Sequence, residues 1–352
     1  MIFNSIKISN VTLKNRIVIS PMCQYSATNG IPSKWHYKHL LNLSSTGASM
    51  IIMESTAIEK RGKITNSDLC LYNDAQEKNL KKLVNFLKDK NNIKFGIQIS
   101  HSGRKGSSQI PWNKTNTPLS KLDRWETCAP SPIPKDINWP KPKAMSKKDI
   151  KNVVKKFKES AIRAKRAGFD CLEIHMAHGY LLHQFFSPIS NKRTDEYGGN
   201  LENRSRLLME IALEVKRVWP ESRILGARIT GDDHLTQGLN TNDAIYLAKK
   251  LKSIGFNYIS VSSGGILTKT NKKEKEAFRS KMTQKIKKKT NIKITTSGKI
   301  TNYKIAEKLV KSKNLDFITI AREIVKNPSW IYSFAKKQKE LKIIPNQYKR
   351  IF

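Results

Sequence analysis

The strongest constraint in this sequence is an alternation. A short apolar, β-rich run is followed by a longer segment of helical pattern, and this happens eight times. The runs lie at 16–20, 49–53, 94–99, 170–174, 224–229, 258–262, 292–296 and 316–320. The helical patterns cover 34–45, 75–88, 146–167, 202–218, 242–254, 274–289, 302–310 and 328–339. Strands separated by a helical crossover run parallel, and a parallel sheet needs both faces covered. Eight such units predict an α/β fold of the (β/α)8 TIM-barrel class, as a single domain over 1–352. An open doubly wound sheet is the rival, but no G-x-G-x-x-G follows an early strand. Ser146 with Asp149 in the first turn reads as a helix start, and Gly168 and Gly255 read as helix ends. Two connections are much longer than usual, 101–145 and 175–199, and in a barrel such loops belong over the active mouth. The segment 340–352 reads as a C-terminal tail.

Composition narrows the function classes. The 352 residues carry 66 Lys and Arg against 28 Asp and Glu, a formal net charge of +38. Such charge invites a nucleic-acid reading, because cations release counterions from phosphates. Here the excess is mostly lysine, mixed with asparagine and isoleucine along the whole chain. AT-rich codons encode those residues, so compositional drift on a solvated surface accounts for it and no specific nucleic-acid partner is expected. No apolar run is long enough for a membrane span. The first 19 residues lack the pattern of a secretory signal. Cys23, Cys70, Cys128 and Cys171 lie too far apart for a disulfide framework, a zinc pair or an iron–sulfur motif. A reduced, cytoplasmic location is expected.

Barrel chemistry sits at the carboxyl ends of strands. Those ends carry Ser20 to Tyr25, Glu54 to Ala57, Gln98 to Arg104, His175 to Tyr180, Arg228, Ser262 to Gly265, Ser297-Gly298 and Ala321-Arg322. Polar groups at all eight ends are hard to explain as packing. His175 and His178 lack the carboxylate and helical spacing of a metal site, so none is expected there. Paired imidazole N–H groups instead suit charge developing on a carbonyl oxygen. Tyr180 is a reasonable proton donor. Arg228 keeps its charge and suits a delocalised anion, and Gln98 donates and accepts at once, as an imide edge requires. A flavin ring offers both. Arg322 and the turns at Gly298 and Ala321, which open the last helices, suit a phosphate.

Three motifs then occur in order: Ser-Pro-Met-Cys-Gln-Tyr at 20–25, Gln-Ile-Ser-His-Ser-Gly-Arg at 98–104 and His-Met-Ala-His-Gly-Tyr at 175–180. Phe-Ser-Pro-Ile-Ser-Asn-Lys-Arg-Thr-Asp-Glu-Tyr-Gly-Gly follows at 186–199, then Asn203-Arg204. Over nearly its whole length the chain resembles the old yellow enzyme family of FMN-dependent ene-reductases. Cys23 and the ending Gln-Tyr-Lys-Arg at 347–350 resemble its bacterial NADPH dehydrogenase class. The resemblance implies noncovalent FMN, NADPH as electron donor with NADH also possible, and ping-pong hydride transfer to the C=C bond of an α,β-unsaturated carbonyl compound. It implies that Ser20, Pro21, Met22, Cys23, Ala57, Gln98, Arg228, Gly298, Ala321 and Arg322 bind the cofactor. Tyr25, His175 and His178 would contact substrate, and Tyr180 would give the proton. Arg350 would reach a neighbouring subunit's site, which implies a homo-oligomer.

Two departures stand out. Ala321 replaces the glycine usual before the phosphate arginine, and its methyl crowds the phosphate if the backbone there is unusual. The stretch 272–289 is unusually basic. Two rival functions remain. A tRNA-dihydrouridine-synthase-like flavoenzyme would explain the charge, but 175–199 does not resemble that family. A non-catalytic cationic barrel would not keep every flavin-edge residue.

Overall fold

The structure, a computed structural model, describes residues 1–352 apart from 91, 114–115 and 269–274. Eight parallel strands form one sheet: β1 (Ile17–Ile19), β2 (Met50–Ala57), β3 (Lys94–Ser100), β4 (Cys171–Met176), β5 (Ile224–Thr230), β6 (Tyr258–Ser262), β7 (Lys293–Thr296) and β8 (Ile318–Ile320). Their order is β7-β6-β5-β4-β3-β2-β1-β8, so every strand lies beside its sequence neighbour except at one seam. That seam is bridged by Asp316. Its N–H donates to the Ile294 carbonyl (3.0 Å), and its carboxylate accepts from the Ile294 N–H (2.8 Å). The sheet thus closes into the expected (β/α)8 barrel.

The helices are α1 (Lys34–Ser44), α2 (Asp74–Lys90), α3 (Lys147–Arg166), α4 (Leu181–Phe186), α5 (Leu201–Val218), α6 (Thr241–Ser253), α7 (Ser280–Thr290), α8 (Tyr303–Lys311), α9 (Arg322–Lys326) and α10 (Trp330–Lys337). Ser146 caps α3 as expected. Its Oγ accepts from the Asp149 N–H (3.1 Å) while Asp149 Oδ2 accepts from the Ser146 N–H (3.0 Å), satisfying two donors the helix cannot. Asn291, left-handed at φ 49°, ends α7.

Period two sorts the strand residues. Ile19, Ile51, Ile97, Leu172, Ala227, Ile259, Ile294 and Ile320 face outward into the core under the helices. Val18, Met50, Ile52, Cys171, Ile224, Tyr258 and Phe317 face inward at the start of the barrel. A two-stranded hairpin, Ile6–Ile8 with Val11–Leu13, places Ile6, Ile8 and Leu13 in this inner cluster and plugs the barrel's amino-terminal end. Further along each strand the inward positions turn polar, which leaves chemistry only at the carboxyl end.

Several elements differ from the sequence expectation. The hairpin escapes pattern reading because each strand has three residues. Strand β2 runs on through Glu54, Ser55 and Thr56, polar residues that are nonetheless buried. The connection 175–199 contains α4, all of whose side chains are buried. The helix expected over 328–339 is α10, and a short unexpected helix, α9, precedes it, separated around Pro328, whose ring disfavours helical backbone at Asn327. Helix α7 starts at Ser280; the expected start at 274 and the head of the basic stretch 272–289 lie outside the described residues. Among the described residues no helix is long and apolar enough to cross a membrane.

Candidate active site

A cavity of about 600 Å³ opens at the carboxyl ends of the strands. Ser20, Pro21, His178, Arg228, Gly298, Ala321 and Arg322, all expected at the site, line it. Ser262, Arg279, Ser297, Lys299, Thr319 and Lys326 line it as well.

Arg228 extends from β5 into the barrel. Its guanidinium donates to Ser20 Oγ (3.3 Å) and Ser297 Oγ (2.8 Å). Its Nε is buried with no hydrogen-bond partner among the described residues. A guanidinium held by two hydroxyls, with one buried donor unused, is suited to an anionic or strongly accepting group. Gln98 lies deeper and does not line the cavity. Its Nε2 donates to Glu173 Oε1 (2.6 Å) on the adjacent strand.

The two imidazoles meet. Ala177 N–H donates to His175 Nδ1 (3.2 Å), so the proton of this ring resides on Nε2. That Nε2 faces His178 Nδ1 (3.1 Å), and His178 Nε2 faces Ser262 Oγ (2.5 Å). Burial, then the Arg228 charge, pushes both imidazoles well below their usual range, so both are neutral. The expectation that both N–H groups converge on one empty point is not met as such. They stand in series, with His178 Nε2 on the cavity side against Ser262.

His178 has φ +57° and Gly179 φ +71°, so the chain turns sharply after β4. The turn is fixed from two sides. Gly179 N–H donates to His183 Nδ1 (2.7 Å), and His183 Nε2 contacts Asp233 Oδ1 (2.9 Å) with both side chains fully buried. From the other side Lys105 Nζ donates to the carbonyls of His178 (2.7 Å) and Gly265 (2.9 Å). Burial first, then Lys135 and Arg104, lowers Lys105 to about 7. The Tyr180 ring lies 4.6 Å from His175 between centroids. Burial holds the Tyr180 hydroxyl well above its usual range, so it keeps its proton.

Cys23 and Tyr25 lie close enough for each to bear on the other's titration. Burial, then Glu54, raises the Cys23 thiol, which stays protonated. Tyr25 meets the exposed Trp112 edge-on at 6.1 Å. Met22 is half-buried against the core, and Ala57 ends β2 opposite Ser100.

At the phosphate end Ala321 has φ −124° and ψ −101°, so the position is not in the left-handed region that favours glycine. The start of α8 is already occupied. Glu276 Oε1 accepts from the N–H groups of Thr301 (3.1 Å) and Asn302 (2.5 Å). The Gly298-Lys299 turn and the Ala321-Arg322 end remain facing the cavity. There Arg279, Lys299, Arg322 and Lys326 outnumber Glu276 and Glu323.

Arg350 lies elsewhere. The tail packs at the amino-terminal end, where Tyr332 meets Tyr348 (6.1 Å) and Phe352 (5.9 Å), and Arg350 is exposed. The sequence reading missed Glu173, Arg279 and Lys105. Glu173 had a signal: it lies two residues before His175 and shares its inward face.

A cavity at a barrel mouth, with one unused guanidinium donor and cations at one end, suits a ligand that carries an anionic group. The chain belongs to the NADH:flavin oxidoreductase / NADH oxidase family, whose family model matches residues 1–341. Within that family it is an oxidoreductase of the old yellow enzyme type. It is similar to the NADPH dehydrogenase of Listeria innocua serovar 6a, with 39% identity over 99% of this chain and 98% of that protein. It is also similar to the NADPH dehydrogenase of Bacillus cytotoxicus, with 38% identity over 99% and 96%. Among solved structures, morphinone reductase in complex with tetrahydroNAD has the same fold, with TM-score 0.79 and 23% identity over 96% of this chain and 90% of that one. A 2-naphthoyl-CoA reductase complex has it too, with TM-score 0.84 and 22% identity; the chain covers 52% of that larger enzyme.

Proposed function

We propose that this chain binds FMN noncovalently and uses NADPH, or less specifically NADH, to reduce the C=C bond of α,β-unsaturated carbonyl compounds in a ping-pong cycle. The observation that carries the reading is the juxtaposition of Arg228, with its unspent Nε, and the neutral His175–His178–Ser262 chain on one cavity. When bound, FMN supplies the hydride acceptance and donation that no side chain can. Ser20, Pro21, Met22, Cys23 and Ala57 would lie along its ring. Gln98 and Arg228 would hold its pyrimidine edge, and Gly298, Ala321 and Arg322 its phosphate.

The chain's own groups would do the rest. Both imidazoles are neutral, so His178, which accepts the His175 N–H at Nδ1, would donate its own Nε2–H to a substrate oxygen without surrendering a proton to it. Negative charge growing on that oxygen strengthens that bond, and this lowers the barrier. Tyr180, held protonated, supplies the proton for carbon, and Tyr25 supplies an aromatic wall. Arg350 faces away from its own mouth, so its part in a site requires a second copy, and we include a homo-oligomer in the proposal; a solution mass of one chain would remove that part. Four free thiols fit a reducing, cytoplasmic setting.

The test replaces the donors and follows two properties apart. In the His175→Ala/His178→Ala protein, enone turnover is expected to drop by about 100-fold or more, the typical cost of lost oxyanion donors. Tyr180→Phe should also lose about 100-fold, the typical worth of a positioned acid. FMN affinity, read by fluorescence titration, should stay within a few-fold in both. Loss of FMN with the histidines would show that they hold the ring rather than the substrate.

A further inference from the structure

Beneath the mouth lies a buried carboxyl group that the reading above does not use. Glu173, on β4, is 1% exposed and faces the barrel interior two residues before His175. Its Oε1 accepts from Gln98 Nε2 (2.6 Å) and its Oε2 from the Tyr258 hydroxyl (2.8 Å). Gly226 makes room for this arrangement, since a Cβ there would stand 2.1 Å from the Tyr258 ring. The register puts Gln98, Glu173, Gly226 and Tyr258 at one level, on four consecutive strands.

Two consequences follow. A carboxylate only accepts, so Gln98 must turn its NH₂ end toward Glu173 and its carbonyl end away. That decides what Gln98 offers a ligand above: an acceptor, suited to an imide N–H. The second consequence is electrostatic. Among the described residues Arg228 is bonded to two hydroxyls and to no carboxylate. Glu173 pairs with Gly226, two residues before Arg228 on the same inward face; burial raises its carboxyl, and Arg228 is the first of the groups that hold it down. Glu173 offsets the Arg228 charge through space, without consuming the guanidinium's donors.

We propose that Glu173 is a positioning residue for the flavin site. It fixes the orientation of Gln98 and tempers the charge of Arg228, so that the site does not hold the reduced, anionic ring too tightly to pass its electrons on. This rests on the FMN reading above. Without the carboxylate, Gln98 is free to present N–H to the ring and Arg228 acts undiminished. Both changes favour the reduced form.

The experiment is a redox titration of the FMN-loaded protein against a reference dye. Glu173→Gln keeps the shape and removes the charge. It should bind FMN and shift the midpoint potential by about +30 mV, the equivalent of a tenfold relative gain for the reduced form of a two-electron couple. Glu173→Asp keeps a charge but withdraws it from Gln98. It serves if the first variant fails to fold, and it should shift the potential the same way by about threefold, or ~15 mV. An unchanged potential in a variant that folds and binds FMN would overturn the proposal. If the wild-type protein itself binds no FMN, it is the underlying reading that fails.

Discussion

The imidazoles of His175 and His178 are held neutral by burial and by Arg228, and this has a consequence beyond the reaction. In the unfolded chain each ring takes a proton near its ordinary pKa of 6.5. Below that pH the unfolded state binds more protons than the fold, so stability falls on acidification. Asp68 works in the opposite sense. Burial raises it to about 7 despite bonds from Thr65 and Ile64, so the fold keeps a proton that the unfolded chain gives up. Its contribution is full at low pH and is lost as pH rises through about 7. Melting temperature between pH 7 and 5 separates the two. His175→Asn/His178→Asn should flatten the acid-side decline, whereas Asp68→Asn should leave that decline at least as steep. Equal pH slopes in wild type and the histidine variant would show that these rings are not held neutral by the fold.

At the level of elements, the strands are where sequence and structure agree most. All eight runs become strands in the expected order, because a buried parallel strand has little choice but a continuous apolar run. The ends were legible for the same reason: once strand direction is fixed, the residues after each run must share one mouth. What escaped were pairings across strands. Gln98 was read alone, yet its partner Glu173 is set by the β3–β4 register, which no local pattern encodes. Arg279 lay hidden in a basic stretch, although its side chain donates to Ser263 Oγ and the Ser297 carbonyl. The series arrangement of the imidazoles was equally invisible, because it depends on the left-handed backbone at His178. Gly226 tests the element scale directly. Gly226→Ala puts a methyl into the Tyr258 ring, and overpacking of this kind costs about 1–3 kcal/mol. Chemical denaturation should show a lower midpoint. An unaffected midpoint would mean that β5 and β6 can part to admit it.

Across the whole molecule, the hairpin plug and the polar mouth divide the barrel into an end that stabilises and an end that reacts. The net charge of +38 is spread over the surface. At one end of the cavity Arg279, Lys299, Arg322 and Lys326 gather. The measurement that bears most directly on the central claim is anaerobic stopped-flow spectroscopy of the FMN-loaded protein. Addition of NADPH should bleach the visible absorbance of the flavin. A second mixing, with an α,β-unsaturated ketone and no oxygen present, should restore it. Flavin that binds but is neither bleached by NADPH nor restored by the enone would contradict the account.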